Sequence, residues 1–245
     1  MRGKYQVVLL ALLAMGLLIV PTAARAGTNL GMQLSSGSTV TLCDNNVDFT
    51  GCTHSAPDQS GTLGDVVFIG SVGNWTTNVT TGLGPPLLTL PELVDLNNVT
   101  MSTSGAAPLT MLLTVTGLTG PLGNLGFLNA IGGTNSGSNV DLTVQAWLSS
   151  SNTAFCTNAG CGVNFISQSF HTSGLSNFGG MKSGTAMTGA GPYSITLEIT
   201  LDSHGGADTT SFDDELSIPE PATLSVLGAG LLALGTGLRK RLVRG

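Results

Sequence analysis

Asp44, Asn46 and Asp48 occupy every second position between Cys43 and Cys52. Alternating carboxylate and amide oxygens in a short loop suit a hard cation, and calcium is the ion that such donors favour. The pattern does not continue as a helix-flanked calcium loop requires, because Phe49 and Ser55 stand where that loop needs glycine and glutamate. A polar turn explains the same residues without an ion. That reading is the better one, so no cofactor is expected, with calcium at Asp44, Asn46 and Asp48 as the one alternative. Asp202, His204 and Asp208, and the run Asp213, Asp214 and Glu215, are weaker cation candidates.

Two tryptophans could serve a sugar ligand. Trp75 in "GNWTTNVTTG" and Trp147 in "VDLTVQAWL" would each present a flat apolar face if exposed, although core packing is the commoner fate of this side chain. No catalytic residue is expected. His54, His171 and His204 are far apart in sequence, and the chain has no H-E-x-x-H helix, G-x-S-x-G elbow or phosphate loop. Nothing in the sequence singles out one carboxylate pair for glycoside hydrolysis. Asn74, Asn78 and Asn98 head N-x-T triplets, which read as turn and strand residues.

Between Gly27 and Ile218 there is one basic residue, Lys182, against thirteen acids, so one minus thirteen gives a net charge of −12. A surface this acidic does not bind nucleic acid, because affinity for that polymer comes from neutralising phosphates. Cations or neutral sugars are the natural partners, and simple solubility accounts for the charge as well. The four cysteines form two close couples, Cys43 with Cys52 and Cys156 with Cys161. In an exported chain the default is two local disulfides, although three connectivities are possible.

The elements that must position these residues read as strands. In "YSITLEITL" the residues Tyr193, Ile195, Leu197, Ile199 and Leu201 alternate with polar ones, predicting one packed and one wet face. "VDLTVQAWL" repeats the pattern and puts Trp147 on the outer side. "STVTLCDN", "DVVFIGSV", "LVDLNNVTMS", "PLTMLLTVTGL" and the weaker "NFISQSFHTSG" complete seven expected strands. The Gly-, Ser- and Asn-rich segments 132–139 and 173–191 read as surface loops. Many short strands with turn residues between them argue for an all-β antiparallel sandwich of jelly-roll type.

Both ends carry addresses. Arg2 and Lys4, the apolar run from Val7 to Val20 and the triplet Ala24-Arg25-Ala26 before Gly27 have the form of a helical secretory signal peptide over 1–26, with Gly27 as the new N-terminus. Residues 27–210 form the sandwich and 211–218 an acidic stalk. Ala222 to Leu238 is uncharged and as a helix spans about 25 Å, enough to cross a bilayer. Arg239, Lys240, Arg241 and Arg244 follow it, where basic residues hold a segment on the cytoplasmic side. Pro219 and Pro221 keep the strip before the helix extended and open to a protease.

The order Pro219-Glu220-Pro221, apolar span, basic tail, in a chain with a signal peptide, resembles the PEP-CTERM sorting signal of Gram-negative bacteria, over 219–245 only. The resemblance implies that exosortase, a membrane-embedded cysteine transpeptidase, reads Pro219, Glu220 and Pro221. It further implies transient anchoring in the inner membrane and display or release among exopolysaccharide and biofilm matrix. The expected function is structural or adhesive, with a carbohydrate-binding module as the alternative and a secreted hydrolase third.

Overall fold

Alternation of buried and exposed side chains builds two sheets that share one core. The computed structural model describes residues 28–219 except Ala106 and Ser138. The strands are β1 (Asn29–Ser35), β2 (Thr39–Cys43), β3 (Asp65–Val72), β4 (Trp75–Leu83), β5 (Glu92–Thr103), β6 (Leu109–Leu118), β7 (Gly123–Gly137), β8 (Val140–Ser149), β9 (Val163–Thr172), β10 (Ser176–Thr188), β11 (Tyr193–Asp202) and β12 (Asp208–Ser217). The first sheet has the order β2-β1-β6-β11-β8-β9 and the second β10-β7-β12-β5-β4-β3, and the pairings are antiparallel. All seven expected strands are present. Tyr193, Ile195, Leu197, Ile199 and Leu201 are buried in the common core as their spacing demanded.

Three expectations are corrected. The acidic stalk is a central strand: β12 pairs with β5 on one side and β7 on the other, with Phe212, Asp214 and Leu216 facing inward. An aspartate at the middle inward position broke the alternation that would have revealed the strand. Asp214 is 1 % exposed, and Asn129 donates to its Oδ1 at 2.6 Å. Burial pushes its carboxyl well above the ordinary range. The segments 132–139 and 173–191 are largely strand, with β10 paired over its whole length to residues 123–135 of β7. Their glycines are required by close approach. A Cβ at Gly184 would strike the Phe165 carbonyl, and one at Gly133 would lie 2.6 Å from Phe178 and 2.7 Å from Phe212.

The outer face of the first sheet is not wholly wet either. The disulfides Cys43–Cys52 and Cys156–Cys161 form within the expected couples. Their loops fold back over the sheet: Gly31 lies under Cys52, Phe155 and Phe49, and Ser194 donates to the Thr153 carbonyl at 2.6 Å. The signal peptide, Glu220, Pro221, the apolar span and the basic tail lie outside the described residues. Among the described residues no helix is long and apolar enough to cross a membrane.

Trp75, which could have faced a sugar, is fully buried, and its indole N–H donates to the Ala107 carbonyl at 2.8 Å. It belongs to the core because β4 turns it inward beside Val72. Replacing it with alanine leaves a cavity the size of an indole and an unpaired carbonyl. Trp75→Ala should cost about 3–5 kcal/mol in denaturant unfolding. A loss below about 1 kcal/mol would contradict its place in the core.

Candidate functional site

The outer face of the second sheet carries a trough built from four strands. One rung across it reads Asp95 on β5, Glu215 on β12, Ala130 on β7 and Met181 on β10, each opposite the next. The neighbouring rung places Asp213 opposite Gly132. Side chains opposite one another on the same face have Cβ atoms about 5 Å apart, so Asp95 and Glu215 stand together as like charges. The bulge in β5 turns Asn97 and Asn98 toward Asp213, whose Oδ1 accepts the Asn98 N–H at 2.6 Å. Gly132 and Ala130 supply a floor almost without side chains, and Gly180 and Met181 form the far wall.

The trough encloses about 760 Å³, within the range of ligand pockets. A second depression of about 220 Å³, lined by Thr100, Thr134 and Ser211, shares Gly132 and Asp213 with it. The two adjoin on the same face, the second further along β12 from Asp213 to Ser211. Its polar groups are carboxylates, amides and hydroxyls, with the Ser211 and Thr100 hydroxyls bonded to each other at 3.0 Å. Burial, then the charges of Glu215, Asp213 and Glu92, push the Asp95 carboxyl up to about 6. From sequence, Asp213, Asp214 and Glu215 read only as a weak cation cluster, and nothing singles out Asp95 among the thirteen acids. The adjacent positions split between faces, and the pairing of β12 with β5 and β7 is long-range.

The other candidate residues are dispersed. Asp44, Asn46 and Asp48 do not share one site. Asp44 Oδ2 accepts from the Gly64 N–H at 2.7 Å, Asn46 Oδ1 accepts from the Asp58 N–H at 2.7 Å, and Asp48 Oδ1 lies 2.5 Å from His54 Nδ1. The His54 backbone N–H and imidazole hold the Asp48 carboxyl below its ordinary range. Among the described residues no three His, Cys, Asp or Glu side chains are arranged to hold a metal ion. Trp147 lies half-buried on the outer face of the first sheet, as its position in the alternation required, and donates its indole N–H to Glu198 Oε2 at 2.8 Å. Burial raises the Glu198 carboxyl despite that bond.

Two histidines distant in sequence do meet. Asp141 Oδ1 lies 2.5 Å from His171 Nδ1 and its Oδ2 lies 2.8 Å from His204 Nε2. These contacts hold the Asp141 carboxyl below its ordinary range, the His171 bond contributing most. The group is exposed at the end of β8, β9 and β11, with side chains 63 %, 47 % and 49 % accessible for His171, Asp141 and His204. Pro219 is exposed, directly after Ile218, whose N–H donates to the Pro91 carbonyl at 2.8 Å.

No family model matches this chain, and no curated protein is similar to it in sequence. Among solved structures it is similar in part to the enzymatically active domain of bacteriophage CBA120 tailspike protein 4, at 12% identity and TM-score 0.30, over 60% of this chain and 19% of that one. A CBM4 structure matches at 8% identity and TM-score 0.32 over 63% and 86% of the two chains. A family 16 carbohydrate binding module matches at 13% identity and TM-score 0.27 over 56% and 84%. Likenesses this partial carry no argument about function.

The raised Asp95 carboxyl has a consequence for stability. A carboxyl whose folded value exceeds its unfolded one contributes fully below the unfolded value, near 3.8, and loses that contribution as pH rises through about 6. Asp95→Asn should melt like the parent at pH 3 and be more stable at pH 8. The gain, after allowance for solvent screening, is about 1 kcal/mol or about 2–4 °C. Melting curves from pH 3 to 8 check this, and a difference that did not vary with pH would refute the assigned environment.

Proposed function

We propose that this chain is an exported, non-catalytic surface protein that adheres to extracellular polysaccharide through the trough on the second sheet. The observation that supports the reading best is the trough itself. It runs across four strands on an open face, and its floor at Ala130 and Gly132 lets a sugar ring approach the backbone. Asp95, Asn97, Asp213 and Glu215 offer acceptors and an amide to sugar hydroxyls. Like charges directly opposite one another cost stability, and Asp95 with Glu215 is such a pair. Hydroxyl donors from a ligand would offset that cost. The one aromatic residue lining the trough, Phe212, is buried in the core and offers no ring on which a sugar could stack, so hydrogen bonding carries the binding and affinity is modest.

The sorting signal fits a protein whose ligand lies outside the cell. In this reading the chain is cleaved after Ala26, held briefly by the apolar span with Arg239, Lys240, Arg241 and Arg244 inside, and processed at Pro219-Glu220-Pro221 by exosortase. Two disulfides and no free cysteine among the described residues suit an oxidising compartment.

A second reading, a glycoside hydrolase, draws on the Asp95 carboxyl, whose value of about 6 suits a general acid. That chemistry needs carboxyl groups flanking the scissile bond. Here both rise from adjacent strands on one face, so a sugar would lie above them rather than between them.

Two experiments follow. A glycan array and affinity electrophoresis with the full chain should find polysaccharide retention that Asp213→Ala or Glu215→Ala weakens about tenfold or more. Absence of retention on every glycan, or release of shorter sugars, would overturn the reading. Fractionation of cells with and without exosortase should yield mature products of different mass or location, and an identical product in both strains would remove the sorting step.

A further inference from the structure

The connection from β2 to β3 contains an arrangement that the trough does not use. Asp44 ends β2's run, Asp65 begins β3, and Asp58 lies between them in the loop that the Cys43–Cys52 disulfide helps to close. Hydrogen bonds tie the three into one ring. The Gly64 N–H donates to Asp44 Oδ2 at 2.7 Å, the Ser60 hydroxyl to Asp65 Oδ2 at 2.9 Å, the Ser60 N–H to Asp58 Oδ1 at 2.9 Å, and the Asn45 N–H to Asp58 Oδ2 at 3.0 Å. Both oxygens of Asp58 are thereby occupied, Oδ1 also by the Val67 N–H at 2.9 Å.

Asp44 and Asp65 are different. The Oδ1 atom of each is buried and has no hydrogen-bond partner, and Asp44 as a whole is only 8 % exposed. A buried carboxylate oxygen without a donor is costly. Among the described residues no lysine or arginine reaches these two. The sole one there is Lys182, on β10, and β10 and β3 are opposite edges of the second sheet. Acceptors on neighbouring carboxylates, with no lysine or arginine of the described residues beside them, define a place for a hard divalent ion.

We propose that the β2–β3 connection binds one calcium ion through Asp44 Oδ1 and Asp65 Oδ1, with water and backbone oxygens completing its shell. The ligand pair therefore differs from the alternating Asp44, Asn46 and Asp48 that the sequence suggested, because Asn46 and Asp48 are turned to Asp58 and His54. Two carboxylates are few for calcium, and a site of that charge binds in the range of about 0.1–1 mM typical of extracellular modules. Magnesium dehydrates reluctantly and suits the site less. The bound ion would cross-link the end of one sheet to the edge of the other.

The test is a thermal melt of the purified full chain, stripped with a chelator and titrated with calcium or magnesium chloride, together with calorimetric titration for stoichiometry. For an affinity of about 1 mM, 10 mM calcium should raise the midpoint by about 3–6 °C, reversed by chelator, with one ion bound. Asp65→Asn should abolish the shift, while Asp48→Asn and Glu215→Gln should keep it. Asp65 is the variant of choice because it is less buried than Asp44 and its loss leaves the Gly64 bond intact. No shift in the parent at 10 mM calcium would mean that water alone fills the place. A shift that survived Asp65→Asn, or vanished in Asp48→Asn or Glu215→Gln, would locate the ion elsewhere. Either result would overturn the proposal.

Discussion

Strand β7 lies between β12 and β10 because Gly132 and Gly133, near its middle, carry no side chains, and the second sheet depends on that one constraint. On the inner face, the space a Cβ at Gly133 would need is taken by Phe178, Phe212 and the Ser211 carbonyl. On the outer face, Gly132 and Ala130 leave the sheet hollow beside the carboxylates of β12. One glycine-rich stretch thus lets aromatic rings close the core from within and keeps the trough open from without. The same relief at Gly184 lets β10 pass against β9, where the two sheets come together at one edge.

Acidic charge is the second constraint, because a body with thirteen acids and one lysine cannot pair them with its own cations. Each environment deals with it differently. Asp214 is buried in the core against Asn129, its carboxyl pushed well above the ordinary range, and Asp48 and Asp141 are paired with imidazoles at the surface. Asp95 remains half-buried beside Glu215 and holds its proton to about pH 6. The two sheets also differ in what covers them. Loops carrying the disulfides lie over Gly31 and Ser194 of the first sheet, whereas the exposed Asn97, Asp213 and Thr134 mark the second as open. Carboxylates gathered on that open face can meet a ligand without a lid having to move.

Much of the fold was legible from period-two alternation and β-branched residues, which is why β2, β3, β5, β6, β8, β9 and β11 were expected in place. The local disulfide couples were legible as well, since close spacing within a loop already brings the sulfurs near. Strands β7 and β10 were hidden because their glycines read as loop, and β12 because Asp214 sits where the pattern called for an apolar side chain. Trp147 faced outward as its alternation required. Trp75 gave no such warning, since its strand is mostly threonine and asparagine and only packing against Ala107 reveals its burial.

By itself the sequence determined the strand-forming segments, the net charge and the expected processing at both ends, because periodicity, composition and terminal motifs are local properties of the chain. Tertiary structure decided which acids share a site. Asp95 meets Glu215, and Asp141 gathers His171 and His204, only once the strands are paired in register, and Asp44 comes near Asp65 only once the edges of the two sheets are packed together. A one-residue change of register would send Asp95 or Glu215 to the opposite face. Local sequence carries no record of that choice, which the packing of the two sheets makes.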